Sequence, residues 1–93
     1  MLSGNVEMNG IVIGEWTATR RNPDSKPDQF NDYWCTLWYR GLDGYIYEAD
    51  WEIWAVGHRN GAISLAARVL FEGMNKAKKR IPNTEDEFAT EIL

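Results

Sequence analysis

Few residues in this chain could do covalent or acid–base chemistry. His58 is the only histidine and Cys35 the only cysteine. A histidine acts as a general base when a nucleophile or an orienting carboxylate stands within hydrogen-bond reach, and as a metal ligand when further ligands converge on the same ion. His58 follows Gly57 just ahead of a predicted helix, and the spacing supplies neither set of partners. Cys35 sits among Tyr33, Trp34, Leu37 and Trp38, an apolar stretch in which a thiol stays protonated and packs as a small hydrophobe. With no acid, base and nucleophile to assemble, the expectation is a protein that is not an enzyme and uses no cofactor and no metal.

Two segments offer weaker chemistry. Gly57-His58-Arg59-Asn60-Gly61 resembles a glycine-containing turn that presents amides to an anion, but it lacks the P-loop lysine and the dinucleotide glycine spacing. An ordinary turn with Asn60 as helix N-cap accounts for it. Lys76, Lys78, Lys79 and Arg80 could contact phosphates, yet cations at a helix C-terminus also answer the helix dipole.

Charge is unevenly distributed. Residues 41–57 carry Asp43, Glu48, Asp50 and Glu52 with no Lys or Arg, residues 58–80 carry six bases against Glu72, and residues 81–93 are acidic again. The whole chain has a formal net charge of -4, whereas nucleic-acid binders are usually basic overall because phosphate neutralisation supplies their non-specific affinity. Direct nucleic-acid binding is therefore the second reading, using Arg20, Arg21, Arg59 and the basic helix end. The more informative feature is Trp34 and Trp38 beside Glu48, Asp50 and Glu52. Exposed indoles with flanking charge mark protein contacts, although five tryptophans could also simply fill a thin core.

Those residues need elements to hold them. Ninety-three residues make one domain, which buries only roughly 60 percent of its unfolded surface. No apolar run approaches the ~20 residues that cross a bilayer, and no basic segment followed by an apolar stretch opens the chain. A lone cysteine gives no disulfide, so the expected setting is cytoplasmic. Asn9-Gly10 between Val6-Glu7-Met8 and Ile11-Val12-Ile13 predicts a two-residue hairpin, and Met8 offers a second start that would leave 1–7 outside the fold. Residues 20–32 read as a long polar loop. Tyr33–Arg40 and Tyr45–Trp54 read as strands joined by Gly41-Leu42-Asp43-Gly44, a three-residue hairpin with Gly44 left-handed. In that register Trp34, Thr36, Trp38 and Arg40 share a face with Ile46, Glu48, Asp50 and Glu52, and a loop one residue longer or shorter would exchange the faces.

At about 100° per residue, Ile63, Ala66, Ala67, Leu70, Met74, Ala77 and Ile81 form a stripe predicting a helix over 61–81 that lies on the sheet. This phase turns Leu65 and Val69 away, making them candidates for a second contact or, with an exposed strand edge, for a homodimer. Pro82 ends the helix, and Thr84 with Glu87 forms a capping box for a short helix over 85–92. The expected fold is α+β: an antiparallel sheet of three or four strands within 5–54, packed on one long amphipathic helix, plus the short C-terminal helix.

In general character, a meander over Ile11–Thr19, Tyr33–Arg40 and Tyr45–Trp54 followed by a helix over Ala62–Lys79, the chain resembles the small acidic proteins of bacteriophages and mobile elements that inhibit host defence, anti-CRISPR proteins among them. The resemblance implies a non-catalytic inhibitor, working in the host-cell cytoplasm, that occludes a basic, nucleic-acid-binding surface of a protein or protein complex. On this sequence that role falls to Glu48, Asp50 and Glu52, with the acidic tail Glu85 to Glu91 as a further contributor. The basic segment 58–80 departs from what a thorough nucleic-acid mimic would carry.

Overall fold

A computed structural model describes residues 1–24, 26, 29–56 and 59–80, the side chains of 59–64 excepted. Along the chain lie strands β1 (Leu2–Met8), β2 (Ile11–Arg20), β3 (Phe30–Arg40) and β4 (Ile46–Val56), helix α1 (Arg59–Lys76) and strand β5 (Lys78–Lys79). The strands form a single antiparallel sheet in the order β1-β2-β3-β4-β5. The protein is thus mostly β, which corrects the expectation of three or four strands against a long helix with a second helix behind it. The region 85–92 lies outside the described residues.

Each departure has a local cause. The sheet reaches back to Leu2 rather than residue 5 because Leu2, Gly4 and Val6 alternate onto the inner face, opposite Ala18, Trp16 and Gly14. Gly4 lets the Trp16 indole lie flat on the backbone, since a Cβ there would fall 2.5 Å from the ring Nε1. Asn9 and Gly10 both take positive φ, 53° and 79°, as a type I′ turn requires.

The predicted loop 20–32 is shorter than expected, because Arg20 belongs to β2 and Phe30, Asn31 and Asp32 to β3. Buried Asn31 donates from Nδ2 to the carbonyls of Lys26 (2.9 Å) and Gln29 (2.8 Å), satisfying the loop's backbone where the alternation alone would have suggested a polar outlier. Between β3 and β4 the Gly44 N–H donates to the Gly41 carbonyl at 2.9 Å and Gly44 has φ +84°, which is the bulged three-residue hairpin. Cross-strand pairs Trp34–Glu52, Thr36–Asp50 and Trp38–Glu48 follow.

Helix α1 ends at Lys76 rather than 81, and its buried phase differs from the predicted stripe. Leu65 and Val69 are fully buried, whereas Met74 is exposed. Gly73 decides this: a Cβ there would meet Leu37 Cδ1 and the Trp51 ring at 2.7 Å, so the glycine face is the one that can come closest to the sheet. Leu65, Val69 and Gly73 recur at the spacing of one helix face. The candidate second contact at Leu65 and Val69 is accordingly core, packed with Trp16, Ala18, Tyr33, Cys35, Leu37, Trp51 and Ile53.

After Ala77 the chain extends as β5 along β4, and the Arg80 N–H donates to the Ile46 carbonyl at 2.8 Å. There Lys79 meets Asp43 of the hairpin and Arg80 meets Glu48 of β4. Among the described residues no helix is long and apolar enough to cross a membrane.

Candidate protein-binding face

Strand alternation places the inner residues of β2, β3 and β4 under α1 and sends the others to the opposite side, which nothing among the described residues covers. That side carries Glu15, Thr17 and Thr19 from β2, Trp34, Thr36, Trp38 and Arg40 from β3, and Ile46, Glu48, Asp50 and Glu52 from β4. The face expected for the sheet is the face observed. Trp34 and Trp38 are 42% and 43% exposed.

The aromatic row is longer than the sequence reading had it. Phe30 and Trp54 stack at 6.0 Å between centroids, and both are well exposed, 60% and 59%. Sequence parity could have found them: Trp54 is two residues beyond Glu52 and Phe30 four before Trp34, once β3 is allowed to begin at Phe30. In the middle of the face the Thr17 and Thr36 hydroxyls share a hydrogen bond.

The carboxylates are not equivalent. Arg80 donates to Glu48 from Nε (to Oε1, 3.1 Å) and from Nη2 (to Oε2, 2.6 Å), which holds the Glu48 carboxyl below its ordinary pKa. Arg21 donates to Glu52, and its guanidinium stands 6.0 Å from the centre of the Trp34 ring. Asp50, midway between them on β4, is exposed and has no hydrogen-bond or ion-pair partner among the described residues. Beside it Thr36, Trp38 and Glu48 close a shallow pocket of ≈ 300 Å³. A wider groove of ≈ 730 Å³ runs past Trp38 and Arg40 to the exposed Ile11, Val12 and Leu42 at the hairpin end of the sheet.

Two members of the basic cluster proposed for phosphates, Lys79 and Arg80, are engaged with carboxylates of this chain. Besides Arg80, Lys79 Nζ lies 3.0 Å from Asp43 Oδ2 and 4.4 Å from the Tyr45 ring centre. Asp43 also accepts from the Tyr47 hydroxyl (2.7 Å) and the Tyr45 N–H (3.0 Å), and these bonds, the Tyr47 one foremost, bring its pKa down to about 2. Burial pushes the Cys35 thiol up to about 11. Helix α1 begins at Arg59, so Asn60 lies inside it rather than capping it, and residues 57 and 58 are outside the described residues. Among the described residues no three of His, Cys, Asp and Glu are placed to hold a metal ion. No family model, no curated protein and no solved structure matches this chain.

Proposed function

We propose that this protein is a non-catalytic inhibitor that binds another protein through the uncovered face of its sheet and occludes a basic, nucleic-acid-binding surface of it, as the resemblance to small bacteriophage inhibitors of host defence implies. The observation that carries the reading is the pair of half-exposed indoles, Trp34 and Trp38, set on the sheet beside the β4 carboxylates Glu48, Asp50 and Glu52. Indoles give large contact area at little conformational cost and dominate binding hot spots. A platform whose backbone is already hydrogen-bonded in strands leaves only side chains to order on association.

The carboxylates give the surface its sign preference. Glu48 and Glu52 already hold guanidinium groups of this chain, so they are tuned for cations, and Asp50 and Glu15 add negative charge beside the rings. The second reading, direct nucleic-acid binding, is weakened by the same geometry, since Arg21, Lys79 and Arg80 are each engaged with a carboxylate.

The test is capture from a bacterial lysate with the full chain and with the double variant Trp34→Ala/Trp38→Ala. The expected result is a nucleic-acid-binding protein retained by the wild type, released by the double variant, and unable to hold its nucleic acid when complexed. Retention of the same proteins by both forms would overturn the reading.

A further inference from the structure

We infer that Asp50 and Trp38 form a receptor for a single arginine side chain of the partner, an assignment that rests on the protein-binding reading of this face. The molecule carries its own precedent. Two of the three arginines at this face are received by β4 carboxylates, Arg80 on Glu48 through two contacts and Arg21 on Glu52 with its guanidinium over the Trp34 indole, while Arg40 donates to the Gly44 carbonyl. The Trp34–Glu52 cross-strand pair therefore shows how an arginine is held here: a carboxylate takes an N–H group while an indole stands beside the cation.

Asp50 is the third carboxylate of the same row, opposite Thr36 and next to Trp38. It differs from its neighbours in having no partner among the described residues, and it opens onto the ≈ 300 Å³ pocket, at the small end of the range for ligand pockets. The lining is complementary to a guanidinium. Asp50 supplies the negative charge that no cation of this chain answers among the described residues, Glu48 being held by Arg80, while the Trp38 ring supplies a stacking surface and Thr36 contributes a hydroxyl. A hydroxyl has two lone pairs and one hydrogen, so the Thr17–Thr36 bond leaves the Thr36 oxygen able to accept a further N–H. The same lining repels phosphate and carboxylate. Arginine is favoured over lysine because its planar fork can meet a carboxylate and lie on a ring at once.

The experiment is an ¹⁵N NMR titration of the full chain with a blocked Gly-Arg-Gly peptide, with lysine and citrulline peptides as controls. With the arginine peptide, the Trp38 indole N–H and the Thr36 and Asp50 amides are expected to shift saturably. Citrulline, which keeps the shape and loses the charge, should not saturate, and lysine should bind more weakly. Asp50→Asn should weaken the arginine peptide by about tenfold or more, the size of a lost charge-assisted hydrogen bond. Asp50 is exposed and bonds nothing among the described residues, so this variant keeps the fold, checked by an unchanged spectrum elsewhere.

Equal binding by citrulline or lysine, unchanged binding by Asp50→Asn, or shifts centred on Trp34 and Glu52 would each overturn the assignment. If these occur while Trp34→Ala/Trp38→Ala still releases a captured partner, only the arginine site falls. If the peptide binds at Asp50 but the double variant releases nothing, the protein-binding reading falls instead.

Discussion

Arg80 grips Glu48 across 32 positions of sequence, and the two contacts of that grip fasten the last described strand of the sheet to the open face. β5 is only two residues long, so side chains must supply what its backbone ladder cannot. Arg80 on Glu48 and Lys79 on Asp43 do so from opposite sides of the strand.

Removing the first of these should loosen the edge without unfolding the protein. In Arg80→Ala the amide of residue 80, which donates to the Ile46 carbonyl, is expected to exchange with deuterium several-fold faster, while the melting temperature barely moves, because exposed ion pairs contribute little to global stability. Hydrogen exchange read by NMR checks both parts.

The second anchor should respond to acid. Asp43 titrates at about 2 in the folded chain, below the ordinary carboxylate value of about 4. Its contribution is therefore in full force above about pH 4 and is lost as the pH falls through about 2. A carbon-detected titration of the Asp43 carboxyl should show that low midpoint. Tyr47→Phe, which deletes the largest cause of the shift, should move the midpoint up toward the ordinary value.

Helix phase is tested by a pair of substitutions. Leu65→Ala should cost about 3 kcal/mol in urea unfolding, as for a buried leucine, whereas Met74→Ala should stay within about 0.5 kcal/mol. Gly73→Ala adds a finer check: helix propensity gains about 1 kcal/mol, but the new methyl would meet Leu37 and Trp51 at 2.7 Å. Both neighbours are packed in the core, so the net effect is expected to be destabilising, by about 1 to 2 kcal/mol.

Gly14 has no room at all. A Cβ there would fall 1.9 Å from the Trp38 carbonyl oxygen, a backbone atom that cannot step aside. Gly14→Ala is expected to lose about 3 kcal/mol, at the upper end of overpacking costs, and to disturb the Trp38 indole resonance by moving β3.

Cys35 should ignore thiol reagents. With the thiol pushed up to about 11 by burial, labelling at pH 8 should proceed only as fast as the protein opens, and should become immediate in denaturant.

The features legible in the sequence were those written in adjacent residues. Asn9-Gly10 and Gly41–Gly44 specify their turns through backbone conformations that few other residues accept, and the second of these fixes which side chains share a face with Trp34 and Trp38. The helix phase was not legible because two apolar stripes run along the same segment, and the choice between them was made by the room at Gly73 rather than by hydrophobicity. β5 was hidden for a related reason: lysines after a helix suit its C-terminus as well as they suit a strand, and the acids that meet Lys79 and Arg80 lie far back along the chain. The same distance concealed which β4 carboxylates of the open face hold arginines and which one does not.

Neighbour-to-neighbour strand order also bears on how the chain assembles. The β1–β2, β2–β3 and β3–β4 pairings each join strands that follow one another in sequence, and only the two-residue β5 returns from beyond helix α1, so little loop entropy has to be lost before most of the sheet forms. The sheet can zip from one hairpin to the next without waiting for distant ends to meet, and its refolding should outpace that of Greek-key sandwiches of similar length, whose strands must find partners across the chain.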